Sequence, residues 1–319
     1  MVVPAYNEEE VLPEFYIRLS SVLEEMPVEA EIVFVNDGST DRSLSVLGEL
    51  QKTDDRVAMV ELSRNFGKEI AMSAGLDHAS GDLVVIIDAD LQDPPELIPD
   101  LFKGWEEGYD VVYARRMARE GEGPFKKATA YLFYRVMQKF SAVRIPEDTG
   151  DFRLLSRRAV DALNQLREHH RFMKGLFAWI GFPQKEVFYR RDARFAGKTK
   201  WNYWKLWNFA LEGITSFTAG PLKIATYLGL LTAFCAFLYG LYMVIRTLVF
   251  GNPVPGYPSL LVIVLFLGGV QLMAIGLIGE YLGRMFNESK QRPLYILKGH
   301  APARNKPASQ DMPRSQKTA

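Results

Sequence analysis

Two carboxylates spaced two residues apart, Asp88 and Asp90, close the apolar run Leu83-Val84-Val85-Ile86-Ile87 and precede Leu91-Gln92-Asp93-Pro94-Pro95-Glu96. The run predicts a buried strand, and residues i and i+2 of a strand point to the same side. Two like charges in one small volume resist joint ionisation. A hard divalent cation, Mg2+ or Mn2+, removes that conflict, because it takes oxygen ligands and shares a few carboxylates with substrate phosphates. A second reading is that Asp90 or Asp93 only caps the helix opened by Pro94-Pro95-Glu96. That accounts for Asp93 and leaves Asp88 unexplained.

The elements around this pair alternate. Apolar spacing predicts a helix over Glu10–Met26, a strand at Ile32–Val35, a helix at Ser43–Gln51 and a strand at Val57–Leu62. A helix at Ile70–His78, the strand Leu83–Ile87, a helix at Leu97–Glu107 and a strand at Val111–Tyr113 follow. This order implies an α/β domain with a mainly parallel sheet covered on both faces. Ligands of such sheets bind beyond the carboxyl ends of the strands. Those ends carry Pro4-Ala5-Tyr6-Asn7-Glu8, Asn36-Asp37-Gly38-Ser39-Thr40-Asp41, Ser63-Arg64-Asn65-Phe66-Gly67-Lys68 and the paired aspartates. No Gly-rich phosphate loop follows any strand, and Gly197-Lys198-Thr199 has Asp192 where a phosphate loop needs its first glycine. A nucleotide here is therefore expected to be held through a metal on its phosphates.

The chain of 319 residues has a formal net charge of zero, so no global field argues for nucleic acid. Its one cysteine, Cys235, excludes an intrachain disulfide and a multi-thiolate metal site, and four scattered histidines make a histidine-based one an unfavoured reading. The first residues read as strand followed by Asn7 and three glutamates rather than as a secretory signal, and the strand is expected to begin upstream of Met1.

Leu222–Val249 and Tyr257–Phe286 are almost wholly apolar, with Lys223, Arg246, Glu280 and Arg284 near their ends. As helices each reaches roughly 40 Å, against about 30 Å for a hydrocarbon core. They predict a two-helix membrane hairpin. The alternative, two helices inside a soluble core, needs neighbours to cover both. Basic clusters flank the hairpin: Arg190–Lys205 has six basic residues against Asp192, and Asn287–Ala319 has seven against two acidic. The connector Phe250–Gly256 carries no charge, so the termini and the α/β domain are expected on the cytoplasmic side. Trp201, Trp204 and Trp207 recur at spacing three, as on an amphipathic helix lying in the headgroup layer. Gly279 and Gly283 form a small-residue pair compatible with homo-oligomer packing. The expected division is a catalytic domain at 1–197, an interfacial helix at 198–220, the hairpin at 221–287 and a basic, partly disordered tail at 288–319.

Taken together, the chain resembles the family 2 glycosyltransferases, in particular the polyprenyl-phosphate sugar transferases related to dolichol-phosphate mannose synthase and the bacterial GtrB-like enzymes. The motifs are Val3-Pro4-Ala5-Tyr6-Asn7-Glu8, Asn36-Asp37-Gly38-Ser39, Arg64-Asn65-Phe66-Gly67-Lys68 and Asp88-Ala89-Asp90-Leu91-Gln92-Asp93-Pro94-Pro95. Gly150-Asp151-Phe152-Arg153, Arg171-Phe172-Met173-Lys174-Gly175 and Arg194-Phe195-Ala196-Gly197-Lys198-Thr199-Lys200 continue the set through the apolar spans to Leu297. The resemblance implies the type A nucleotide-sugar-binding fold. It implies that Pro4, Tyr6, Glu8, Asp37, Lys68 and Asp88 bind the donor, and that Asp88, Asp90 and Gln92 hold Mg2+ or Mn2+ on its diphosphate. Asp151 is implied as catalytic base or acceptor orienter, with Asp90 also catalytic. Arg116, Arg194 and Lys200 are implied to meet the diphosphate or lipid phosphate, and for Arg194 and Lys200 plain attraction to anionic headgroups is an equal reading.

The implied reaction is inverting transfer of a hexose, glucose from UDP-glucose, to an undecaprenyl-type polyprenyl phosphate. Mannose or an aminosugar, or a tethered nucleotide-sugar-binding scaffold, are the alternatives. Asp151 stands where the mannose synthases carry Gly or Ser, which points away from mannose. No Gln-x-x-Arg-Trp occurs near His169–Phe177, which argues against polysaccharide synthesis. A downstream flippase and a transferase that uses the lipid-linked sugar are the implied partners.

Overall fold

The computed structural model describes residues 1–117, 146, 149–189, 220–250 and 256–305. These fall into two compact units: one holds 1–117, 146, 149–189 and 293–305, the other 220–250 and 256–292.

The first unit is built on one sheet. Its strands are β1 (Val2–Ala5), β2 (Ile32–Asn36), β3 (Val57–Leu62), β4 (Leu83–Ile86), β5 (Val111–Arg116), β6 (Thr149–Ser156), β7 (Gln184–Tyr189) and β8 (Leu297–Ala301). They lie in the order β7-β5-β6-β4-β1-β2-β3-β8. The pairs β1–β2, β1–β4, β2–β3 and β5–β7 are parallel. The β4–β6, β5–β6 and β3–β8 pairs are antiparallel. The helices are α1 (Leu12–Glu25), α2 (Ser43–Thr53), α3 (Lys68–His78), α4 (Ile98–Glu106), α5 (Arg157–Gln165) and α6 (Met173–Trp179).

Both faces of the central strands are covered, as their continuous apolar sequences require. On one face Phe34 of β2 meets Phe15 of α1 edge-on, with ring centroids 6.4 Å apart. On the other, α3 approaches so closely at Gly75 that an added Cβ would lie 2.3 Å from Val2 Cγ1 and 3.1 Å from Val35 Cγ2. All five residues of β2 are buried.

The first half of this unit follows the expected alternation, with ends displaced by up to three residues. Four strands and helices of the second half, β6, α5, α6 and β7, were not anticipated. Nor was β8: part of the tail returns as an edge strand on β3, where Lys298 pairs with Glu61 at 2.7 Å. Ala303 is buried, and Arg304 reaches Asp55.

The second unit consists of α7 (Gly220–Phe250) and α8 (Tyr257–Ser289). Both are long and apolar enough to cross a membrane, over Ala225–Phe250 and Phe266–Ser289. Their large side chains are uncovered: Leu230, Phe237, Leu272 and Ile275 are each more than 60% exposed. Among the described residues, therefore, no soluble core buries these helices.

Candidate active site

The sheet itself assembles the site. Helices follow β1, β2 and β4, so their carboxyl ends lie at one edge. Strand β6 runs the other way, and its start comes to that same edge. Extending the pairing Ile86↔Arg153 by two residues sets Asp88 opposite Asp151. At the flank, Arg116 of β5 pairs in register with Tyr189 of β7.

Lys68, the first residue of α3, joins the two aspartates. Its Nζ donates to Asp88 Oδ2 at 2.6 Å and to Asp151 Oδ2 at 2.5 Å. Burial lowers the lysine pKa, but Asp151 and Asp88 more than reverse this and hold it charged. Burial likewise opposes ionisation of Asp151, yet Lys68, then Lys174 and Arg153, keep it well below the usual carboxylate range. Asp88 is pushed up to about 6, by burial first, with Asp151 and Asp93 adding repulsion against the pull of Lys68. The second oxygen of Asp151, Oδ1, is buried with no hydrogen-bond partner among the described residues.

Positioning residues surround this core. Arg153 is buried, donates from Nη2 to Gly150 O at 2.8 Å and from Nε to Asp151 O at 3.3 Å, and lies over the Phe177 ring at 3.7 Å. It braces the backbone that carries Asp151. Glu69 Oε2 accepts the backbone N–H of Met173 at 3.0 Å, fixing the start of α6 to the start of α3. Burial, then Asp151, raises Glu69 to about 7. Lys174, one residue along α6, lies within the field of Asp151, Lys68, Glu69 and Arg116, and burial lowers its pKa.

The Asp88–Pro95 turn answers the capping alternative. Asp90 Oδ1 accepts the backbone N–H of Gln92 at 3.2 Å, and Asp93 receives the Tyr189 hydroxyl. The first turn of α4 has no side-chain cap. Leu91 adopts φ +57 while its side chain is buried. A non-glycine residue in this left-handed region carries strain that is stored where a turn must aim its neighbours. Here those neighbours are Asp90 and Gln92.

The loops after β1 and β2 interlock. Asn7, at φ +54, donates its N–H to Ser39 Oγ at 3.1 Å and accepts Thr40 N–H on Oδ1 at 2.8 Å. The Glu8 N–H donates to Ser43 Oγ at 2.8 Å, and Pro4 sits within β1 beside Val35. Tyr6 is half-buried at the same edge. Asp37 is buried, and its two oxygens accept the backbone N–H groups of Phe66 at 2.7 Å and Gly67 at 2.9 Å. Its visible work is to hold the Arg64–Lys68 loop that delivers Lys68.

A divalent cation fits the donor set. The groups are hard oxygens, the kind such a cation takes: the carboxylates of Asp88 and Asp90 and the side-chain amide oxygen of Gln92. No group of three or more His, Cys, Asp or Glu side chains with metal-binding geometry occurs among the described residues. Mg2+ commonly uses one or two carboxylates and completes its shell with water and substrate phosphates.

Of the residues singled out in the sequence, Pro4, Tyr6, Glu8, Asp37, Lys68, Asp88, Asp90, Gln92, Arg116 and Asp151 gather at this edge. Arg194, Lys200, Trp201, Trp204 and Trp207 lie outside the described residues. Glu69, Lys174 and Tyr189 were given no role by sequence reasoning. Lys174 had a signal in its motif, and Glu69 in its place beside Lys68. Tyr189 had none.

The cation-bridged carboxylate pair lies beyond the carboxyl ends of the strands, the place where ligands of open α/β sheets bind. The glycosyl transferase family 2 model matches residues 1–163, and a GtrB C-terminal hairpin model matches residues 220–285. The chain is 53% identical to a bactoprenol glucosyl transferase of Shigella phage SfV over 93% of this chain and 97% of that one. It is 50% identical to a prophage bactoprenol glucosyl transferase homolog of Escherichia coli K12, over 93% and 97%. An uncharacterized glycosyltransferase of Synechocystis is 52% identical over 93% of each chain. A crystal structure of glucosyl-3-phosphoglycerate synthase from Mycobacterium tuberculosis with Mn2+, UDP-glucose and phosphoglyceric acid aligns with a TM-score of 0.46. That alignment has 20% identity and covers 67% of this chain and 75% of that one. The chain belongs to glycosyl transferase family 2 and carries the GtrB-type C-terminal hairpin.

Proposed function

We propose that this glycosyltransferase moves glucose from UDP-glucose to a polyprenyl phosphate of the undecaprenyl type at the cytoplasmic face of a membrane. The products are a polyprenyl-phosphate glucose and UDP. The observation that carries the reading is the pair Asp88 and Asp151, bridged by Lys68, with a buried Asp151 oxygen that has no partner among the described residues. The names of the bactoprenol glucosyl transferase relatives support the donor sugar and acceptor, and the apolar hairpin supports an acceptor that stays in a bilayer.

An acceptor phosphate oxygen attacks the anomeric carbon from the face opposite the diphosphate. The bond from that carbon to the diphosphate oxygen breaks, UDP leaves, and the configuration inverts. A phosphate monoester is already largely ionised near neutrality, so its attack needs no strong base. Asp151 is therefore assigned to orienting the acceptor and stabilising positive charge on the sugar, rather than to proton removal. Lys68 keeps both aspartates ionised and in place. Asp88, Asp90 and Gln92 would hold Mg2+ or Mn2+, which supplies Lewis-acid neutralisation of the leaving diphosphate when bound. Pro4, Tyr6, Glu8 and Asp37 are assigned to the uridine side of the donor through the interlocked loops. Arg116 is assigned to the acceptor phosphate, with Arg194 and Lys200 at the same phosphate or at headgroups.

The proposed topology places both termini in the cytoplasm, with 1–197 catalytic, 198–220 interfacial and 221–287 spanning. A flippase and a transferase that uses the lipid-linked sugar would act on the product. The test incubates the protein with UDP- and GDP-sugars and polyprenyl phosphate, with and without EDTA, and identifies the lipid by mass. A hexosylated lipid from UDP-glucose, lost in EDTA and restored by Mg2+ or Mn2+, is expected. Product formation in excess EDTA removes the metal assignment, and product from a GDP-sugar alone removes the donor assignment.

A further inference from the structure

We infer that Tyr189 is a positioning residue that aims the Arg116 guanidinium at the acceptor phosphate, with Asp93 fixing the tyrosine in turn. This rests on the acceptor role proposed for Arg116. The two residues are register partners on the parallel strands β5 and β7, at the edge of the sheet where the aspartates gather. Arg116 Nε donates to Tyr189 Oη at 3.3 Å, and the Tyr189 hydroxyl donates to the buried Asp93 Oδ1. The phenol thus accepts from the arginine and donates to the aspartate, a chain that sets the direction of each member.

Among the described residues the inner nitrogen of the guanidinium has a partner and its outer edge has none. Among the described residues no acceptor is bonded to Nη1 or Nη2. The Nη2 group lies over Gly150: a Cβ built there would be 3.6 Å from Arg116 Nη2 and 3.6 Å from Asp93 Oδ2. Gly150 directly precedes Asp151, so the uncommitted edge of the guanidinium faces the neighbourhood of the reacting groups. Planar guanidinium presents paired donors that match a phosphate, but only if the plane is held. Tyr189 holds the plane from behind, which keeps the outer fork free. The arrangement differs from an ion pair with Asp93, which would spend the fork on the protein.

The experiment is a double-mutant cycle of Tyr189→Phe and Arg116→Ala in the full chain, reconstituted with polyprenyl phosphate and UDP-glucose. Tyr189→Phe removes one oxygen and preserves the ring. The KM for polyprenyl phosphate is expected to rise about tenfold or more, the scale of one hydrogen bond to a charged group. The KM for UDP-glucose is expected to change by less than about threefold, and Tyr189→Phe should add nothing in the Arg116→Ala background. Equal rises in both KM values, or independent effects that multiply in the double variant, would overturn the positioning role. Should Tyr189→Phe fail to fold, Asp93→Asn asks the same question, because it weakens the acceptor that fixes the tyrosine and leaves Arg116 intact. It should reproduce the acceptor KM rise, and an unaltered KM would contradict the inference. An Arg116→Ala variant with ordinary acceptor KM sinks the acceptor role of Arg116 and the inference with it. A parent protein that makes no lipid product sinks the functional reading itself.

Discussion

Asp88 and Asp151 lie two residues beyond the last pair of the antiparallel β4–β6 ladder, 63 positions apart in sequence, and Lys68 Nζ bonds both, at 2.6 and 2.5 Å. The cluster is a charge balance as much as a contact. With Lys68 in place the two carboxylates stay ionised and parted. Without it, burial and the repulsion of Asp151 and Asp93 would drive Asp88 toward its protonated form.

Lys68→Met is therefore expected to cut turnover by at least about a hundredfold, the scale for losing one preorganised charge-stabilising group. Its stability cost is expected to be about 1–2 kcal/mol. Breaking a buried pair costs roughly 3–5 kcal/mol, and the lysine side chain is 43% exposed and partly solvated. Turnover assays and thermal melts on the same preparation check both, and turnover close to the parent would remove Lys68 from the chemistry.

Glu69 and Asp110 make opposite predictions about pH. Glu69 is raised by burial to about 7, so between pH 4.5 and 7 the folded state binds the proton more readily than the unfolded chain. That favourable term is complete at low pH and is lost as pH rises through the folded value. The melting-temperature difference between the parent and Glu69→Gln should move against the parent as pH rises from about 5 to 8. Asp110 is held below its ordinary value by hydrogen bonds from Arg158, against the effect of burial. Its contribution is present above about pH 4 and lost as pH falls through its folded value. The gap between the parent and Asp110→Asn should therefore close only in acid. A flat difference across pH in either series contradicts the assignment for that residue.

Gly38→Ala tests how Lys68 is delivered. Gly38 has φ +65, and an added Cβ would lie 2.4 Å from the Arg64 carbonyl carbon and 2.6 Å from Asn65 N. The Arg64–Lys68 loop must move away, pulling on the bonds from Phe66 and Gly67 to Asp37. A raised KM for UDP-glucose and lowered turnover are expected, beyond the roughly 1–2 kcal/mol intrinsic cost of the left-handed backbone. Parent-like kinetics would show that the loop has slack.

The sequence made the first half of the sheet legible because its strands are short apolar runs punctuated by polar ends, as in Leu83–Ile87 before Asp88. The second half hides its pattern. Strand β6 buries Arg153 among apolar residues, which breaks the apolar run, and that arginine is satisfied by the backbone of Gly150 and Asp151. Strand β8 contains Lys298 and His300 and is held on β3 partly through Glu61, so composition alone reads it as tail. For the site, each strand end could be named in advance. The Lys68 bridge could not, because it depends on a register between strands that no local pattern encodes. Tyr189 was silent for the same reason, since its partners Asp93 and Arg116 lie far away in sequence.

The role of Asp151 is tested most directly by comparing the parent with Asp151→Asn in a single turnover with UDP-glucose and polyprenyl phosphate, read by the mass of the lipid. The parent should convert the lipid to its hexosylated form with release of one UDP for each lipid converted. The amide variant should bind both substrates and form product at least about a hundredfold more slowly. UDP release with no hexosylated lipid from the parent, or near-parent turnover from Asp151→Asn, would contradict the assignment of this site to polyprenyl-phosphate glycosylation.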